Sequence, residues 1–235
     1  MRGRATLITV SPAARTVAGM IAAVLTSLLA VSAGPAITNP YWPMKPGTRW
    51  VYRETDAQGS RQRIVVTVTH RTKLVASGVT ARVVHDRATE DGQVVEDTFD
   101  WYAEDAKGNV WYLGEDTTEY ENGKPVSKAG SWEAGVDGAR AGIIMLAHPR
   151  VGRRYREEHY PGHAMDGAKV LSRSEQVQVP AGHFRRVLLT KNFNPLEPDV
   201  LEYKWYAPGV GPVLEIGVSG STDRAALVRF RRGRG

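Results

Sequence analysis

The 235 residues include no cysteine. That excludes disulfides, thiol nucleophiles and a thioether lipid anchor, which needs a cysteine just after a leader. Several chemistry-bearing motifs are also missing. There is no Gly-x-Ser-x-Gly elbow, no phosphate-cradling glycine loop, no His-Glu-x-x-His and no Asp-x-Asp-x-Asp-Gly calcium loop. No apolar run reaches the roughly 20 residues that a membrane-spanning helix needs. Beyond the first 36 residues no stretch keeps a helical period for more than about two turns. No residue is assigned a catalytic role on sequence grounds.

What is present begins with a leader. Arg2, Arg4 and Arg15 precede an apolar run from Val17 to Val31, which closes on Val31-Ser32-Ala33. Charged, apolar and small residues in that order make a secretory signal peptide. Cleavage is expected after Ala33 or Ala36, leaving a single β-rich domain over 37–225 and a last strand with a basic tail over 226–235. The mature protein is then secreted or extracytoplasmic and does not span a membrane. Export without disulfides suits a bacterium.

The formal charge is +6, and three of its arginines belong to the leader, so the mature excess is half that. Basic residues crowd the end of the chain at Arg224, Arg229, Arg231, Arg232 and Arg234. Such a tail is attracted to anionic envelope polymer or lipid headgroups, or is simply a solvated terminus. Nucleic acid is not an expected partner for an exported chain with a nearly balanced body.

The mature chain reads as strands and turns. Ile64, Val66, Val68 and His70 alternate with Arg63, Val65, Thr67 and Thr69, and Val79, Ala81, Val83 and His85 repeat the period. Period-two patterning rich in β-branched residues marks half-buried strands. Ser77-Gly78, Asp105 to Asn109 and Glu121-Asn122-Gly123-Lys124 supply turns. Further strands are expected at Val177–Val179, Phe184–Thr190, Leu201–Trp205, Leu214–Val218 and Ala226–Phe230. Ala139 to Leu146 fits a short helix or a loop. The fold class is all-β, an antiparallel curved sheet that forms an open barrel or a two-layer sandwich. One hairpin echoes another: Asp100-Trp101-Tyr102-Ala103 with its glycine turn resembles Lys204-Trp205-Tyr206-Ala207 with Pro208-Gly209.

Three segments carry a family resemblance. Tyr41-Trp42-Pro43-Met44-Lys45-Pro46-Gly47-Thr48-Arg49-Trp50-Val51-Tyr52 resembles the opening of many exported bacterial β-proteins. Val179-Pro180-Ala181-Gly182-His183-Phe184, followed by Lys204 to Gly211, resembles a pair of elements in TapB-like secreted proteins. Thr98 to Glu115 is similar to uncharacterised secreted proteins of actinobacteria. The resemblance implies an exported β-sheet protein and transfers no catalytic or binding residue.

Four constellations carry possible chemistry. Trp101, Tyr102, Trp111, Tyr112 and Trp205 are candidates for stacking on a ligand (a small molecule, a glycan or a lipid) across a concave sheet face. His148, His159 and His163 are candidate zinc ligands, against which Pro161-Gly162 breaks the local helix that would align two of them. His70 and His85 would lie opposite each other if Ser77-Gly78 is a two-residue turn, and a slip of one residue separates them. The acidic run Glu96, Asp97, Asp100, Glu104, Asp105, Glu115, Asp116, Glu119 and Glu121 offers ligands for calcium or a carboxylate pair for glycoside cleavage, or a solvated sheet face. The leading expectation is an exported, non-enzymatic β-domain that binds a ligand on an aromatic concave face. The alternative is a metal- or carboxylate-dependent hydrolase.

Overall fold

The computed structural model describes residues 37–234; the leader lies outside them. The described chain is all-β and antiparallel, with fifteen strands: β1 Arg49–Thr55, β2 Arg61–Leu74, β3 Thr80–Glu90, β4 Gln93–Glu104, β5 Val110–Glu121, β6 Lys124–Ser127, β7 Trp132–Glu133, β8 Arg140–Met145, β9 Arg154–Arg156, β10 Glu158–His159, β11 Gly167–Val179, β12 Gly182–Asn194, β13 Glu197–Ala207, β14 Gly211–Ser219 and β15 Arg224–Arg231. Ala139 to Leu146, expected as helix or loop, contains β8. Its apolar residues give no clear period, and pairing with β5 settles the conformation.

Most neighbours in the sheet are neighbours in sequence, joined by tight hairpins. At Glu121-Asn122-Gly123-Lys124 both central residues take positive φ, as a type I′ turn requires. Asp91-Gly92 does the same between β3 and β4. The order runs β10-β8-β5-β4-β3-β2-β1-β15-β14-β13-β12-β11-β9, with β6 and β7 attached to β5. The N-terminal strand therefore sits in mid-sheet, zipped to the C-terminal strand from Arg49↔Arg231 to Thr55↔Arg224.

The two ends of this order, β9 and β10, are separated in the chain by Glu157 alone. Residues 154–156 pair with β11 through Ala168↔Tyr155, and residues 158–159 pair with β8 through Glu158↔Ala141. One short segment is thus shared between two edges, which nearly closes the sheet into a barrel. At the handover the amides of Glu157 and Glu158 both donate to the Asp166 carbonyl, at 2.8 and 3.1 Å. Gly142 on β8 is required there, because a Cβ would stand 2.1 Å from the Glu157 carbonyl oxygen. Closure also protects edge strands that would otherwise template aggregation.

Pairing registers decide which residues face inward. Trp50↔Val66, Val66↔Asp86, Val68↔Val84 and Val84↔Asp100 share one face, since directly opposed residues point the same way. Over residues 50–54, 64–68, 84–88 and 96–102 the even-numbered side chains share the lumen face and the odd-numbered ones face outward. The strand β2 does not pair with β3 as a two-residue Ser77-Gly78 hairpin: the turn spans Val75 to Val79, and β2 bulges between Val68 and Thr72. His85 consequently lies opposite Thr67, and His70 is exposed in the bulge.

The C-terminal arginines are part of the barrel wall. Arg224, Arg229 and Arg231 lie on β15. Beyond it Arg232 donates to the Gly209 carbonyl at 2.6 Å, and the Gly233 amide donates to Thr48 Oγ1 at 3.0 Å. The expected frayed tail is instead pinned to the start of β1.

Candidate functional site

A loop plugs one end of the barrel. Residues 37–48 fold back on themselves, with the Met44 amide donating to the Ile37 carbonyl at 3.0 Å. Glu104, at the end of β4, accepts from the Thr38 and Asn39 amides at 2.6 and 2.8 Å. The Asn39 side chain donates to the carbonyls of Gly108 and Leu146. On the far side the Gly209 amide donates to the Pro40 carbonyl at 2.6 Å. The loop is tied to both walls, and it inserts Trp42 between them.

The Trp42 ring meets Tyr102 at 5.8 Å, edge-on, and Tyr206 at 5.9 Å, tilted. Tyr102 stacks on Tyr112 at 4.9 Å, and Tyr112 meets the edge of Trp132 at 5.4 Å. A chain of five rings thus crosses the barrel interior. Offset and edge-to-face contacts of this kind stabilise beyond simple area burial. The Trp42 indole N–H is buried and finds no acceptor among the described residues, an arrangement that normally costs stability.

Above the plug lies a cavity of about 320 Å³. Trp42, Met44, Trp50, Tyr52, Ile64, Val66, Val84, Tyr102 and Leu214 give it an apolar wall, and four carboxylates interrupt that wall: Glu54, Asp86, Asp100 and Glu215. The Trp50 and Tyr52 polar tips are turned away to the Val210 and Pro212 carbonyls at 2.7 and 3.0 Å. These rings therefore present their carbon faces to the cavity.

The carboxylates are electrostatically unusual. Burial, reinforced by neighbouring acids, pushes Glu54 up to about 7. Burial pushes Asp100 up to about 6 even though the Tyr112 hydroxyl donates to it at 2.7 Å. Next to it, burial and the Asp100 charge raise Glu115 to about 8. Asp86 is raised by burial and by the charges of Asp100, Glu96 and Glu54, against which a hydrogen bond from the Arg87 backbone acts. Glu215 is shared with Lys204, whose ammonium lies 3.2 Å from Glu215 and 3.4 Å from Glu202. Burial opposes the Lys204 charge, but Glu215 and Glu202 outweigh it and raise its pKa. Its side chain keeps 27% exposure although it points inward, so the lumen around it is open to water.

The seam adds a second acidic group. Glu157 is only 4% exposed; one carboxylate oxygen accepts from Asn192 at 2.8 Å, and the other has no hydrogen-bond partner among the described residues. Burial lifts Glu157 to about 8. Glu158 is raised by burial and by Asp166, with which it shares a hydrogen bond.

The acidic run expected as a solvated face is divided. Asp100 and Glu115 face the lumen, and Glu96 shares their face but is exposed. Asp97 faces outward in contact with His85 and Arg87, and Asp105 accepts from Lys107 and Asn109 amides in its turn. The aromatic candidates divide in the same way. Tyr102 and Tyr112 line the interior. Trp101 is capped from outside by the Lys73 ammonium at 3.6 Å, Trp111 donates to Asp105 at 2.9 Å, and Trp205 packs against Tyr203. No single concave face collects all five. Trp42, Trp50 and Tyr52 were missed as site residues because their segment reads as a folding element.

The histidine candidates are not brought together. His148 sits among Lys107, Arg150 and Arg153, His159 contacts Arg156 at 3.0 Å, and His163 stacks on Tyr160 at 4.3 Å. Burial and the cations Arg156 and Arg140 lower the pKa of His159. Among the described residues no three His, Asp or Glu side chains are placed to hold a metal ion.

No protein-family model and no curated protein sequence matches the chain. Three solved structures share its broad outline. A Bacteroides fragilis protein with a YmcC-like fold, described as exported, is 15% identical with a TM-score of 0.49, over 82% of this chain and 99% of that one. A Parabacteroides distasonis protein described as a lipoprotein is 16% identical with a TM-score of 0.41, over 82% and 99%. A β-barrel-like protein of a domain of unknown function from Brucella abortus is 14% identical with a TM-score of 0.42, over 78% and 96%.

Proposed function

We propose that this protein is an exported, non-enzymatic β-barrel that captures an amphipathic organic cation in its lumen. The observation that carries this reading is the cavity of about 320 Å³ in which aromatic carbon faces and four carboxylates converge. Pockets of a few hundred Å³ with apolar linings and few polar groups are the usual form of a small-molecule site. Ring faces attract cations through their quadrupole, and carboxylates that lack a cationic neighbour supply the countercharge. Asp86 is the best placed countercharge, because no basic side chain pairs with it among the described residues. The unpartnered Trp42 N–H would serve a hydroxyl or ether oxygen on the same ligand. Export is supported by the leader of Arg2 to Ala33.

Titration with a series of arylalkyl-ammonium compounds and their isosteric alcohols tests this, read by tryptophan fluorescence. The ammonium compounds are expected to change the emission of Trp42 and Trp50 saturably, and the alcohols to act at least about tenfold more weakly. Equal responses, or none from either series, would remove the reading.

A further inference from the structure

The outer wall of the barrel is charged oppositely to its lumen. On β1 the outward positions are Arg49, Val51, Arg53 and Thr55; on β2 they are Arg61, Arg63, Val65 and Thr67. The registers continue this face onto His85, Arg87 and Thr89 of β3 and onto Arg224, Arg229 and Arg231 of β15. No acidic residue faces outward on these four stretches. Asp97, on the next strand, pairs with Arg87 at the edge of the field. Among the described residues, Arg49, Arg53, Arg61, Arg63, Arg224, Arg229 and Arg231 have no ion-pair partner.

Two of the cross-strand pairs are like-charged: Arg49 lies opposite Arg231, and Arg53 lies opposite Arg63. Like charges directly opposite one another weaken a sheet. The fold therefore holds a repulsive field that an anionic partner would relieve. Strands lie about 4.8 Å apart, and alternate residues along a strand lie about 7 Å apart, so the guanidinium groups form a two-dimensional grid rather than a point cluster.

We propose that this face, formed by residues 224–231, 49–55, 61–67 and 85–89, docks a linear anionic polymer bearing phosphodiester groups. The choice among anions rests on the side chains. Every strong cation on the four stretches is arginine and none is lysine, and the planar guanidinium fork matches phosphate oxygens in a bidentate way that an ammonium does not. A lipid surface fits less well. The exposed large apolar residues are Leu74, at the far end of β2, and Val126, Val136, Val151, Leu196 and Val218, all outside these stretches, so the arginine field itself carries nothing that inserts into acyl chains. Single-stranded nucleic acid is favoured by exposed ring platforms, whereas Phe99, the ring opposite His85 on the adjoining strand, is already stacked on it at 4.5 Å.

The test measures binding of the full mature chain to purified poly(glycerol phosphate) at about 0.05 M salt, where screening is weak. The wild type is expected to bind, and to weaken by at least about tenfold at 0.5 M salt. The variant Arg49→Gln, Arg53→Gln, Arg63→Gln, Arg231→Gln is expected to lose at least about tenfold in affinity with an unchanged or higher melting temperature, because both repulsive pairs are gone. Should that variant fold poorly, Arg229→Gln, Arg231→Gln on the exposed last strand is expected to lose at least about threefold by itself. Retained affinity in the folded variants overturns the proposal. So does equal or tighter binding of the wild type to phosphatidylglycerol vesicles or to single-stranded DNA. The lumen cation site is untouched by these substitutions, so the two readings fail separately.

Discussion

Tyr102 on β4 and Tyr206 on β13 hold equivalent places on two walls of the barrel, each in ring contact with Trp42, at 5.8 and 5.9 Å. In each the preceding residue of the inward-facing row is charged, Asp100 in one case and Lys204 in the other. Trp42 is thus a keystone supplied by a loop outside the sheet, and it forms the floor of the cavity.

Trp42→Ala removes that floor. Truncating a large buried ring typically costs about 3–5 kcal/mol, and the loss is expected near the lower figure because Trp42 is not fully buried. Urea unfolding measures it. A loss below about 0.5 kcal/mol would show that residues 37–48 do not contribute to the fold.

Stability should fall, not rise, between weakly acidic and alkaline pH. Glu115, Glu157 and Glu158 sit at about 8 and Glu54 at about 7, all above the ordinary glutamate value of 4.5. The native state therefore holds more protons than the unfolded chain across this window. Its stability is fully present below about 4.5 and is lost as pH rises through 7 to 8. The melting temperature is expected to be several degrees higher at pH 5 than at pH 9. The opposite trend would mean that these acids are solvated or paired.

Glu157→Gln separates the seam from the other acids. Its uncharged side chain mimics the protonated glutamate, so little change is expected at pH 5. At pH 9 the variant is expected to be more stable than the wild type, by about 1 kcal/mol or more, because no buried carboxylate has to ionise. Denaturant titrations at the two pH values make the comparison. Equal effects at both would contradict the assigned burial.

Gly142→Ala tests closure. The added methyl would sit against the Glu157 carbonyl, and overpacking of this kind costs about 1–3 kcal/mol. Hydrogen exchange is expected to accelerate at residues 140–145 and 154–159 before it does in β1 to β4. Uniform acceleration, or none, would mean that the seam is not a separate weak point.

Much of the fold was legible in the chain. Alternation on β2 gave its inward face, and Asn122-Gly123 gave a turn that formed as expected, but on β3 the stripe of Val79, Ala81, Val83 and His85 expected to face inward faces outward. The Asp100–Ala103 and Lys204–Ala207 echo corresponds to two strands that present matching tyrosines to one tryptophan. Closure was not legible, because it depends on a strand handover at Glu157 that leaves no periodic trace. The histidine register failed because the turn spans Val75 to Val79, which slips the pairing by one residue and puts the two histidines on opposite faces, and a bulge at residues 69–71 shifts it further. Of the five aromatic candidates, Tyr102 and Tyr112 face the interior and the other three do not, because an alternating strand shows two faces without saying which is concave. The acids were read as solvated for the same reason: whether a strand's second face meets water or a lumen is decided by strands distant in sequence.

The most direct test of the central claim is calorimetric titration of the mature protein with one arylalkyl-ammonium compound at pH 5.5 and pH 8, in two buffers of different ionisation heat. Binding should tighten toward pH 8, as Asp100 and Glu54 ionise from about 6 and about 7. It should release protons at intermediate pH and weaken by about tenfold in Asp86→Asn. Binding that is independent of pH, takes up no part in proton release and is unchanged in Asp86→Asn would contradict a cation held by the lumen carboxylates.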